Sequence, residues 1–109
     1  INGSTLKKMK PTGVIINVAR GPIINEAAIY QALKNHEIGG ALLDVWYQYA
    51  STDNLEMRPS ALPFHELDNV IMTPHTASWT DQLDERRIES VVKNIQNFID
   101  QKPLAEIVF

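Results

Sequence analysis

The sequence predicts an α/β fold: part of a doubly wound parallel sheet, three strands alternating with helices, closed by a long C-terminal helix. Two observations predict it. Three short apolar runs, Val14 to Ala19, Ala41 to Trp46 and Asn69 to His75, are each too short for a helix. Segments with helical spacing or helix-capping chemistry surround them. Runs that read as buried on both faces and alternate with helices imply parallel pairing through right-handed crossovers.

Each element has its own signal. "GSTLKKMKPTG" offers Ser4 or Thr5 as a helix cap, then helix formers, then Pro11 and Gly13 as stops. "VIINVA" is β-branched and apolar on both parities. Asn25 caps the next helix, which sets Ile29, Ala32 and Leu33 on one face and ends in "NHEIGG". "ALLDVW" is a strand carrying one acid, Asp44, and "NVIMTPH" a strand halted by Pro74. The connection between these two, Tyr47 to Leu67, is long, polar and punctuated by Pro59 and Pro63, the pattern of a functional loop. From Thr80 to about Gln101, Leu83, Ile88, Val91, Val92, Ile95, Phe98 and Ile99 recur at three-and-four spacing. Thr80 and Leu83 bracket its expected cap, and "QKPLAEIVF" leaves it as an extended tail.

Composition narrows the function classes. The 109 residues suit one small domain. A net charge of -3 argues against a nucleic-acid partner, which rewards a basic face. No apolar run reaches the roughly 18 residues that span a bilayer. With no cysteine, disulfides and thiolate metal sites are excluded, and a cytoplasmic setting is expected. His36, His65 and His75 lack ligand spacing with acids, so no metal is expected. The first residue is Ile, which suggests a piece of a longer chain.

In parallel sheets, ligands bind at the carboxyl ends of the strands. There the sequence sets three polar groups: Arg20 after the first run, Asp44 in the second, His75 after the third. Singly, each has an ordinary reading. Arg20 is a surface arginine at the domain edge, Asp44 satisfies a loop backbone or caps a turn, and His75 is a hydrogen-bonded turn residue. Together they suit a small substrate with a carboxylate beside a carbonyl or hydroxyl. A guanidinium fork grips the carboxylate and an imidazole moves one proton.

The order "NVARG", "GGALLDVW", "NVIMTPHTAS" resembles the D-isomer-specific 2-hydroxyacid dehydrogenases, in the latter half of their Rossmann-like cofactor domain. The resemblance runs over nearly the whole chain. It implies that residues 1–109 are the C-terminal portion of a nicotinamide-dinucleotide-binding domain, with about 102–109 a tail returning to a substrate domain. It implies NAD or NADP as cofactor, NAD favoured, and a small 2-keto or 2-hydroxy carboxylate as substrate. Arg20 would hold the substrate's carboxylate and carbonyl oxygen, and His75 would be the acid–base group. Asp44 would accept a hydrogen bond from the nicotinamide carboxamide. Val18, Ala19 and Arg20, with His75, Thr76, Ala77 and Ser78, would line the cofactor pocket.

Two departures follow. The family usually carries a glutamate five residues beyond the aspartate, paired to the histidine; here that position is Tyr49. Glu56 or Glu66 could substitute, or Gln48 or Tyr49 could orient the imidazole without adding charge, or the chemistry could be weak. The orienting option is the one expected, and with it a histidine limb in the pH–rate profile below that of glutamate-bearing relatives. The glycine-rich phosphate loop and the ribose-binding acid would lie upstream, since Gly39 and Gly40 do not form that motif. The chain alone would then hold half a cofactor site, turn nothing over, and associate with copies of itself through uncovered apolar faces. The alternative is a non-catalytic, cofactor-sensing scaffold of the corepressor type, with the loop from Tyr47 to Leu67 as contact surface.

Overall fold

The computed structural model describes residues 1–105; the last part of the expected tail, 106–109, lies outside them. The chain forms two compact units, residues 1–77 and 78–105.

The first unit is a three-stranded parallel sheet in the order β1 (Val14–Asn17), β2 (Gly40–Leu43), β3 (Val70–Met72), with β2 central. It is preceded by α1 (Gly3–Leu6), and α2 (Glu26–Lys34) connects β1 to β2. Asn17 pairs with Leu43, and Leu43 with Met72, so the three strands end at one level. That register makes a shared carboxyl edge.

The amino end departs from expectation in its cap. Asn2, not Ser4 or Thr5, starts α1: its Oδ1 accepts from the Ser4 and Thr5 N–H groups, both at 3.1 Å. Thr5 closes the capping box by accepting from the Asn2 N–H at 2.8 Å. α2 starts as expected, on Asn25, whose Oδ1 accepts from the Ala28 N–H at 2.9 Å. Its buried face is Ile29, Tyr30, Ala32 and Leu33. At its end, His36 takes the left-handed conformation, with φ 53°. Gly39 and Gly40 instead allow close approach, since a Cβ would meet Thr12 backbone at 2.9 Å and the Asn69 carbonyl at 2.8 Å.

The expected burial of the first strand on both faces is not what the unit shows. Ile15 and Asn17 are buried, while Val14 and Ile16 are 60% and 68% exposed. Ile71 of β3 is exposed on the same sheet. The core lies on one face only, built from Leu6, Ile15, Ile29, Leu33, Leu43 and Phe64. Strand side chains alternate between faces, so helices on one side leave every second residue open. The strands are also shorter than their apolar runs: Asn17 and Asp44 turn their polar groups to neighbouring backbone, and the Thr73 hydroxyl donates to Asp44.

The long connection is ordered at its base. The Pro59 carbonyl accepts from the Tyr47 and Gln48 N–H groups at 3.2 and 3.0 Å. The Ser60 hydroxyl donates to Glu26 at 2.5 Å, fastening the loop to the first turn of α2. The Tyr47 hydroxyl donates to the Ile24 carbonyl at 2.8 Å; burial, with the Glu26 charge, pushes this phenol up to about 12. Phe64, in a one-turn 3₁₀ helix, meets Tyr30 and Trp46 edge-on at 5.2 and 6.0 Å.

The second unit contains α3 (Leu83–Ile99), shorter at both ends than the expected Thr80–Gln101. Its N-cap is Gln82, left-handed at φ 61° and without a side-chain cap bond. Thr80 contributes otherwise: its carbonyl accepts from the Leu83 N–H and its hydroxyl from Arg86. Within the described residues the apolar stripe of Ile88, Val91, Val92, Ile95 and Phe98 is exposed.

Candidate active site

The rim begins at the end of β1. Asn17 is buried, and its Oδ1 accepts from the Ala19 N–H at 3.2 Å while its Nδ2 donates to the Arg20 carbonyl at 3.0 Å. This Asx turn fixes the Val18–Arg20 backbone. The Asn17 carbonyl in turn accepts from the Asp44 N–H at 3.0 Å, which ties the turn to the end of β2. Gly21 then packs directly on the Trp46 carbonyl. Arg20 is thereby presented at the edge, exposed, with Nη1 donating to the Ala19 carbonyl at 2.6 Å. The rest of its donor fork has no partner among the described residues.

Asp44 follows β2 and is 1% exposed. Its Oδ1 accepts from the Thr73 hydroxyl at 2.6 Å and the Thr76 N–H at 2.9 Å; its Oδ2 accepts from the Ala77 N–H at 3.0 Å. Burial works to raise this carboxyl. The Thr73 hydroxyl, the Ala77 and Thr76 N–H groups and the His75 charge together outweigh it and hold Asp44 below its ordinary value of 3.8. It stays ionised through the neutral range.

His75 follows β3, exposed, with left-handed backbone at φ 60°. Left-handed backbone is strained for most residues other than glycine. Here the strain is overcome by Asp44, which holds the residues on both sides, Thr73 before and Thr76 and Ala77 after. Trp46 adds a second tie through its indole N–H, which donates to the Thr73 carbonyl at 3.0 Å.

Arg20, Asp44 and His75 thus stand on three adjacent strand ends of one parallel edge. With β2 between them, β1 and β3 lie roughly 10 Å apart. Val18 and Ala19 lie in the same turn as Arg20, and Thr76 and Ala77 in the same turn as His75. Ser78 is the first residue of the second unit. Tyr49, where the resemblance expects a glutamate, lies with its ring centroid 5.7 Å from that of His75. Neither Glu56 nor Glu66 is paired to His75; Glu66 lies 3.9 Å from His65. Beside Tyr49 a cavity of about 320 Å³ opens between the loop and the end of β3, walled by Trp46, Met57, Pro59 and Met72.

Sequence reasoning missed Asn17 and Thr73. An Asn inside a β-branched run was the available signal: a polar residue ending a buried strand is a turn former. Thr73 carried none, because a threonine in a strand is ordinary.

Residues 1–77 match the family described as D-isomer specific 2-hydroxyacid dehydrogenase, NAD binding domain. The chain is 40% identical over 95 residues to a glyoxylate reductase of Thermofilum pendens, covering 87% of this chain and 26% of that protein. It is 38% identical over 103 residues to a glycerate dehydrogenase of Methylorubrum extorquens, covering 94% of this chain and 31% of that protein. Among solved structures it superposes on a D-isomer specific 2-hydroxyacid dehydrogenase of Xanthobacter autotrophicus in complex with NADPH. The TM-score is 0.76 and the identity 32%, over 99% of this chain and 41% of that one. The chain thus spans about a quarter to three-tenths of the length of these two relatives. On sequence, strand order and register together, this chain belongs to the D-isomer specific 2-hydroxyacid dehydrogenases, in their NAD-binding domain.

Proposed function

We propose that the protein carrying this chain is an NAD(P)-dependent D-2-hydroxyacid dehydrogenase, reducing a small 2-keto acid and oxidising the corresponding D-2-hydroxy acid. The observation that carries this reading is the alignment of an exposed guanidinium, a buried carboxylate and an exposed imidazole along one strand-end rim. Residues 1–109 are read as the C-terminal portion of the cofactor domain, with about 102–109 as the tail toward a substrate domain. The relatives are named as reductases and dehydrogenases, and nothing among them favours the scaffold alternative.

The rim fits a nicotinamide group. Val18, 53% exposed, offers an apolar surface for a ring face. Asp44 Oδ2 accepts a single N–H, and a carboxamide is proposed as its further donor, reached by a small opening of the turn above this buried residue. Val18, Ala19 and Arg20 on one side, and His75, Thr76, Ala77 and Ser78 on the other, are the residues proposed to line it. When bound, the cofactor supplies the hydride. Arg20 pairs with the substrate's carboxylate through its planar fork and draws density from the carbonyl oxygen. His75 gives that oxygen its proton in reduction and takes it back in oxidation. Asp44, ionised and buried, holds the turn that aims the imidazole.

The test supplies the protein with NADH or NADPH and with glyoxylate or pyruvate. Consumption of reduced cofactor that depends on the keto acid is the expected result. A preparation that binds cofactor yet consumes none with any 2-keto acid would refute the reading.

No helix among the described residues is long and apolar enough to cross a membrane; a cytoplasmic setting is part of the proposal. The open sheet face of Val14, Ile16 and Ile71 supports association between copies of the chain. Light scattering should give more than one copy per particle; a monodisperse monomer would remove that part.

A further inference from the structure

The resemblance expects a carboxylate as the histidine's partner, and here a phenol stands at that position. Its hydroxyl is turned to the loop backbone, where the Tyr49 oxygen accepts from the Trp46 N–H at 2.9 Å. What lies beside His75 is the ring, tilted by 42° at a centroid separation of 5.7 Å. That separation is within the range of favourable aromatic pairs and of a cation over an aromatic face. Trp46 also anchors the other side, its indole N–H holding the Thr73 carbonyl at the start of the histidine turn. One residue therefore fixes both the tyrosine and the turn that carries the imidazole.

We propose that Tyr49 is the positioning residue of His75 and acts through its ring face, supporting the imidazolium by cation–π attraction. The inference rests on the proposed role of His75, but the contact itself does not. Two charged groups share the strand-end rim with the imidazole. Asp44, from the end of β2, acts on it electrostatically while its oxygens bind Thr73, Thr76 and Ala77. Arg20, on the β1 turn, binds its own chain at Ala19.

Three substitutions separate ring from hydroxyl and from charge. Tyr49→Phe keeps the ring and should leave the basic limb of kcat/KM for keto-acid reduction where it is. It should lower the melting temperature slightly, since the Trp46 N–H loses its acceptor. Tyr49→Leu removes the ring and should move that limb down by about half a pH unit, the equivalent of an exposed cation–π contact. Tyr49→Glu installs a carboxylate and should move it up by about one unit or more. The His75 imidazole C2 proton, assigned by its loss in His75→Asn, should show the same order of midpoints by NMR in the protein without substrate. If Phe shifts the limb as far as Leu, the hydroxyl is the acting group and the proposal fails. If Leu shifts nothing, the ring is a bystander and it fails equally. Should the protein reduce no 2-keto acid, the NMR order still decides the contact, so the two readings fail separately.

Discussion

Replacing His75 by Asn should lower kcat for 2-keto acid reduction by about 10³-fold, the middle of the range for a positioned acid–base group. Asparagine is the informative choice. Residue 75 sits at φ 60°, and asparagine accepts that conformation with little strain, whereas alanine would add a backbone penalty to the chemical one. The bonds from Thr73, Thr76 and Ala77 to Asp44 use none of the histidine's own atoms, so the turn should survive. Thermal melting should then stay close to the parent while turnover collapses. Arg20→Lys provides the complementary split. A lysine keeps the charge and loses the planar fork, so KM for the keto acid should rise more than kcat falls. A His75→Asn protein retaining kcat within tenfold of the parent would show that the transferred proton comes from elsewhere.

How much of this was legible without coordinates depended on how locally each feature is encoded. The parallel order and the alternation with helices follow from run length and spacing, which report burial residue by residue. Asn25 as a cap was legible because Asn before a helical pattern has few other uses. The α1 cap was misplaced since Asn2, Ser4 and Thr5 are all good candidates, and only the reciprocal bond between Asn2 and Thr5 selects among them. The end of α2 in "NHEIGG" was legible, but the close approach of Gly39 to Thr12 and of Gly40 to Asn69 was not, since it involves other parts of the chain. Such contacts leave no trace in a local pattern.

The same distinction holds at the rim. Arg20 and His75 could be placed on one edge because each ends a strand, and parallel strands share their ends. The bracing of His75 was not legible, since Asp44 reaches Thr76 and Ala77 across more than thirty positions of sequence. Asp44 illustrates how a bland reading and a functional one combine. It satisfies loop backbone, as a buried acid often does, and the loop it satisfies is the one that holds the strained histidine.

The glycine after Arg20 bears the same burden from the other side of the rim. A Cβ on Gly21 would lie 2.3 Å from the Trp46 carbonyl oxygen and 2.5 Å from its carbon, with the Tyr47 nitrogen at 3.1 Å. All three are backbone atoms, so no rotamer change relieves the contact, and one of the two chain segments must move. Gly21→Ala should therefore destabilise the protein by about 3 kcal/mol, the upper part of the range for overpacking a filled site. That corresponds to a fall in Tm of roughly 10 °C or more for a domain of this size. Gly3→Ala is the matched control. Its Cβ meets only the Ala28 Cβ at 3.9 Å, an ordinary contact on a helix, so it should be neutral or stabilise by up to about 1 kcal/mol. The damage at Gly21 should also reach function. The displaced segments carry Arg20 on one side and the Trp46 that anchors Tyr49 and Thr73 on the other. Turnover should then fall even at temperatures where Gly21→Ala remains folded, with KM for the keto acid rising alongside. If Gly21→Ala melts like its Gly3 counterpart, the two turns are not packed as described, and the shared rim loses its physical basis.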